Sequence, residues 1–181
     1  MWSRSQLLAL ATAFCDAFAQ HKDVGTILSY FSTTEQVSAT EHGERALAPF
    51  LGQSFEGLDG VRSYFGTIAT LLSYEKMEFS EFTVDAEAGK VACKGKATFI
   101  WTETRQNWDE TFAYMLDFDD EGKIQRYQVW ADSGAAYLAR KGQLDEVRKP
   151  YGYTGNPIDE FMVGETMRTS WNRLSSSTSA H

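Results

Sequence analysis

The feature that most constrains this chain is a change of hydrophobic period at Tyr74. Before it, apolar residues recur at three- and four-residue steps; after it, they alternate. Side chains of a helix share a face every 3.6 residues and those of a strand every two. The second half therefore predicts four long strands: Lys76 to Asp85, Lys90 to Thr104, Trp108 to Phe118 and Ile124 to Asp132. Their links are short and turn-like: Asp85-Ala86-Glu87-Ala88-Gly89, Arg105-Gln106-Asn107 and Asp119-Asp120-Glu121-Gly122. Links of this kind join antiparallel neighbours, so the strands form a meander. Helices first and strands afterwards is the α+β order.

The first half supplies the helices. Leu7, Leu10, Ala11, Phe14 and Phe18 lie on one face of a helix capped by Ser3 or Ser5 and running to about Gln20. A second, short helix spans Val24 to Phe31. Thr33 to Thr40 reads as a short strand, with Val37 and Ala39 on one side and Ser38 and Thr40 on the other. An irregular stretch to Glu56 holds a brief strand between Phe50 and Phe55. A third helix follows from Val61 to Leu72, with Asp59 as its N-cap. Gly134 to Gly142 fits one more short helix.

Length and composition bound the function. The chain has 181 residues, 43% hydrophobic and 14% aromatic, enough for one cored domain whose aromatic rings could line a cavity. Its net charge of −8 repels phosphate backbones and anionic headgroups, which argues against nucleic acid and membrane surfaces as partners. Leu7 to Cys15 followed by Ala17-Phe18-Ala19 mimics a secretion leader, but Asp16 interrupts it and the helical spacing is better satisfied. The expectation is a cytoplasmic protein. Cys15 and Cys93 lie in apolar stretches and read as buried thiols, too few for a disulfide scaffold or a zinc site. Neither a metal motif nor a phosphate loop is present, so no metal and no cofactor is expected. The composition changes from Lys149 onward, giving a domain over residues 1–148 and an extension over 149–181. In that extension Phe161 to Trp171 keeps apolar residues, and a serine-rich end is expected to be disordered.

The order of elements, with Phe55-Glu56-Gly57-Leu58-Asp59-Gly60-Val61-Arg62-Ser63-Tyr64-Phe65 and Asp120-Glu121-Gly122-Lys123-Ile124-Gln125-Arg126-Tyr127-Gln128-Val129-Trp130-Ala131-Asp132, resembles the nuclear transport factor two-like superfamily, also called SnoaL-like. The first segment is similar to that family's strand–turn–helix opening, and the second to its last hairpin and strand. The resemblance implies a cone-like curved sheet, mixed or antiparallel, wrapped around the N-terminal helices to enclose a pocket, and dimers through the outer sheet face. It does not imply one activity: the family includes ketosteroid isomerases, scytalone dehydratases, polyketide cyclases, epoxide hydrolases and non-catalytic binding modules.

One face of each strand would line such a pocket. His42 suits proton transfer near neutral pH and, beside Asp132, could form an acid–base pair. Equally, His42 could be a surface-loop residue, and Asp132 the cap of the following helix. Tyr114 could donate to an oxyanion and Lys96 could assist electrostatically. Thr40, Tyr64, Thr98, Trp101, Phe112, Tyr127, Val129 and Trp130 complete the expected binding set, although a tryptophan could instead face a dimer interface. Lys96, Thr98 and Val129 stand where the resemblance to limonene-type epoxide hydrolases would put an Arg and two Asp, which disfavours that reaction. The expected function is acid–base chemistry, as an isomerase, dehydratase or cyclase, on a small hydrophobic ring or polyketide-like metabolite in a homodimer. The alternative is a ligand-binding or dimerisation module without catalysis.

Overall fold

The computed structural model describes residues 2–33 and 36–152. Helix α1 (Arg4–Ala19) opens on a capping box in which Ser3 and Gln6 satisfy each other's backbone N–H groups. The short α2 (Val24–Leu28) is capped by Asp23. Strands β1 (Ser38–His42) and β2 (Ser54–Glu56) precede α3 (Gly57–Leu71). The long strands are β3 (Leu72–Asp85), β4 (Lys90–Trp101), β5 (Asn107–Phe118) and β6 (Ile124–Trp130). After them come α4 (Ser133–Arg140), α5 (Leu144–Arg148) and a 3₁₀ turn over Lys149–Tyr151.

The four long strands form the expected meander. The sheet order is β2-β1-β6-β5-β4-β3, with β1 parallel to β6 and every other pair antiparallel. Two irregularities bend β3, between Glu75 and Glu78 and between Ser80 and Thr83. Lys76 and Glu81 sit there with φ of 52° and 54°, the extra residues of bulges that tighten local twist. The curved, unclosed sheet wraps α1, whose Leu7, Ala11, Phe14, Cys15 and Phe18 are buried. Phe14 anchors that contact edge-on, with its centroid 5.1 Å from Phe18, 5.8 Å from Phe31 and 5.8 Å from Tyr127.

The glycines before α3 act for two different reasons. Gly57 takes φ +73°, where a side chain would be strained. Gly60 lies so close to Phe55 that a Cβ would stand 2.8 Å from its carbonyl carbon. Together they turn β2 sharply into α3, which lays Tyr64 and Phe65 against the sheet.

Several boundaries differ from the sequence expectation. Asp59 lies in the first turn of α3, which starts at Gly57, so Glu56 is the N-cap residue and Asp59 caps nothing. Helix α2 ends at Leu28, and Phe31 instead bridges to Ile124. Strand β1 runs over 38–42, because its pairing with β6 continues to His42 opposite Trp130. Strand β3 begins at Leu72, directly after α3, and β4 stops at Trp101, where Arg105 turns back with φ of 62°. The apolar stretch Phe161 to Trp171 and the serine-rich end expected to be disordered lie outside the described residues.

Candidate active site

Alternation along the strands decides which side chains enter the cone. On β4 and β5, the pairs Cys93–Tyr114, Gly95–Phe112, Ala97–Glu110 and Phe99–Trp108 share the inner face. On β6 it carries Tyr127 and Val129, and on β1, Ala39 and Glu41. Of these, Glu41, Phe99, Trp108, Glu110, Phe112, Tyr114, Tyr127 and Val129, with Tyr64 and Phe65 of α3 and Tyr74 and Met77 of β3, enclose a cavity that also reaches Asp132 and Ala136. It holds about 600 Å³ of empty space, counting what is open to solvent. Only a small part of that is wide enough to receive a guest without side-chain movement. Asp132 is exposed and marks the open end.

The cavity's ionisable groups are carboxyls and phenols; Lys, Arg and His are absent from its lining. Glu41 is 8% exposed and accepts a 2.7 Å hydrogen bond from the Tyr64 hydroxyl. Burial pushes its carboxyl up to about 7, opposed by that hydrogen bond and reinforced by the negative charge of Glu110. Glu110, 7% exposed, is also raised by burial, partly offset by donation from the Trp108 indole and from the Asp132 backbone N–H at 2.7 Å. Asp132 itself caps α4, accepting from the Ala135 N–H at 2.9 Å. Both sequence alternatives for Asp132 therefore coexist: it is a helix cap and it lines the cavity.

Three tyrosine hydroxyls continue the polar line. Tyr114 interacts with Tyr127, Tyr127 with Tyr64, and Tyr64 with Glu41. Burial holds all three phenols well above their usual range, so they are neutral donors at physiological pH. The line ends at Glu41, where the Tyr64 hydroxyl donates to the carboxylate.

The predicted residues divide between the two sides of the sheet. Tyr114, Phe112, Tyr127, Tyr64 and Val129 all line the cavity with Asp132. His42 does not reach it: its ring stacks on Trp130 at 4.3 Å and its Nε2 donates to Gln128 at 3.1 Å, on the outer face. The structure therefore does not bring His42 and Asp132 together. Lys96 is exposed on the outer face of β4. Thr98 donates to Asp109 at 2.6 Å and Thr40 to Ser54 at 3.2 Å, also away from the cavity. Trp101 is buried beside Phe50 but is not in the cavity lining. Thr40, His42, Lys96, Thr98 and Trp130 share one cause, since a shift of one position moves a strand's side chains to the other face, whereas Trp101 keeps the parity of Phe99 and lies outside the cavity lining. Glu41, missed by sequence reasoning, was signalled by Val37 and Ala39, which put every second residue of β1 in the core. Glu110 was signalled likewise by Trp108, Phe112 and Tyr114.

Among the described residues, no group of three or more His, Cys, Asp or Glu is arranged to hold a metal ion. No helix of the described residues is long and apolar enough to cross a membrane.

Comparison with solved structures assigns the fold. An NTF2-like protein of unknown function from Burkholderia pseudomallei superposes with a TM-score of 0.60 at 15% identity, over 71% of this chain and 92% of that one. TerC, co-crystallised with polyporic acid, gives 0.62 at 17% identity, over 75% and 98%. SalBIII, an epoxide hydrolase/cyclase-like enzyme of pyran ring formation in the polyether salinomycin, gives 0.58 at 18% identity, over 72% and 94%. No protein-family profile matches the chain. No curated protein matches it either. The chain has the nuclear transport factor two-like fold, and its structural neighbours include cyclase-like enzymes.

Proposed function

We propose that this protein is an enzyme that isomerises, dehydrates or cyclises a hydrophobic ring or polyketide-like metabolite by general acid–base catalysis. The observation that carries the reading is Glu41, a carboxyl buried in an apolar cavity, held by the Tyr64 hydroxyl and pushed by burial up to about 7. Acid–base catalysts work best when their proton affinity matches the working pH, and perturbed carboxyls in clefts mark functional sites. In this reading Glu41 moves the proton and Tyr64 holds its geometry. The Tyr114–Tyr127 hydroxyls stabilise developing negative charge on the substrate oxygen, and Asp132 serves the second proton at the open end. With carboxyls but no basic group in the lining, the substrate is a ring compound without negative charge. The narrowness of the cavity favours flat substrates and is also what a binding module without turnover would show.

The test is exchange of hydrogen for deuterium at carbon next to a carbonyl, followed by NMR in D₂O across a panel of neutral cyclic ketones and enones. Exchange above the buffer rate that falls about 100-fold or more in Glu41→Gln, and is unchanged in His42→Ala, supports the reading. Exchange that survives Glu41→Gln would overturn it, and ligand binding without exchange would favour the binding module. We also propose that two copies associate through the outer sheet face, where Trp130 is 42% exposed. A Trp130→Arg variant that sediments like wild type would contradict this.

A further inference from the structure

We propose that Cys15 and Cys93 form a peroxide-reactive dithiol that closes to a disulfide behind the cavity wall. The two residues are 78 positions apart, yet their sulfurs lie 3.8 Å from each other, one on α1 and one on β4. A disulfide needs ~2.0 Å between sulfurs, so closure must draw the two together from contact distance.

The two thiols have unequal environments. Cys15 is fully buried among the core residues of α1. Cys93 is 4% exposed, with its side chain on the inner face of β4 opposite Tyr114. Burial opposes a thiolate at either sulfur, but the Tyr114 backbone N–H favours one at Cys93, whereas the negative charge of Asp16 disfavours one at Cys15. Cys93 is thus the attacking sulfur and Cys15 the resolving one.

The chemistry needs hydrogen peroxide as oxidant and nothing else. The Cys93 thiolate attacks one peroxide oxygen, the O–O bond breaks, and hydroxide leaves, giving a sulfenic acid. The Cys15 sulfur then attacks the Cys93 sulfur. The S–O bond breaks, and the departing hydroxide takes the Cys15 proton as water. The pair gives up two electrons, and one peroxide becomes two waters. The new bond would pin α1 to β4 at the strand position opposite Tyr114, a member of the cavity's hydroxyl line.

The experiment uses the reduced full chain, treated with a few equivalents of hydrogen peroxide, then denatured in N-ethylmaleimide and weighed intact. The expected product is 2 Da lighter than the reduced chain, carries no maleimide, and yields a peptide linking Cys15 to Cys93. In Cys15→Ala the expected product is a sulfenic acid at Cys93, trapped by dimedone. Two maleimides on the treated wild-type chain would overturn the proposal, as would a bridge between chains or the same product from wild type and Cys15→Ala.

Discussion

The two faces of the sheet use the same kinds of residue to opposite ends. On the outer face, Asp117 pairs with Lys90 and Arg126 across three strands, Lys94 with Glu81, and His42 with Gln128 and Trp130. The cations Lys90, Lys94 and Arg126 are a third to a half exposed, and surface pairs of this kind contribute ~0–1 kcal/mol each. On the inner face, Glu41 and Glu110 lie among aromatic rings, and burial is the largest influence on their proton affinity, raising both. A polar side chain inside the cone costs stability unless it is paired, so its presence there calls for a functional reason in a way that His42 or Lys96 on the outside does not.

The comparison is broken or sharpened by substitution. The largest effect is expected where inner-face packing is removed: Phe14→Ala should cost about 3–5 kcal/mol, because the ring bridges α1 to the sheet. Urea denaturation checks this. Next is the proton on Glu41. The folded chain holds it more tightly than the unfolded chain, so its stabilisation is complete below the ordinary value of 4.5 and is lost as pH rises to about 7. Wild type should lose up to about 3 kcal/mol across that window relative to Glu41→Gln, read from denaturation at successive pH values. Gly95→Ala should cost about 1–3 kcal/mol, since the added Cβ would stand 2.2 Å from the Phe112 ring. The smallest effects belong to the outer face: Lys96→Ala should change stability by less than about 0.5 kcal/mol and leave ketone exchange unaltered. A large loss of exchange in Lys96→Ala would mean that the working surface is the outer one.

Much of the fold was legible because periodicity is a property of the whole chain. The period change at Tyr74, the turn chemistry of Asp85 to Gly89 and the glycines at 57 and 60 each report a local backbone state. The site was legible only in part. Tyr64, Tyr114, Tyr127 and Asp132 were named and line the cavity, Tyr114 and Tyr127 because alternate strand positions point inwards together. His42 was favoured for its chemistry over Glu41 beside it, although the apolar face of β1 includes position 41 and not 42. Titration near neutrality is ordinary for a histidine, whereas for a glutamate it is created by tertiary burial, which adjacent residues do not reveal. The approach of Cys15 to Cys93 was illegible for the same reason, since it depends on how α1 lies against the bent sheet.

The most direct test of the account is a carbon-13 NMR titration of glutamate side-chain carboxyls in wild type and Glu41→Gln. The account predicts a resonance with its midpoint near 7 that is absent from Glu41→Gln. If every glutamate titrates in the ordinary carboxylate range, Glu41 is not the buried proton carrier described, and the inner face loses its claim to the chemistry.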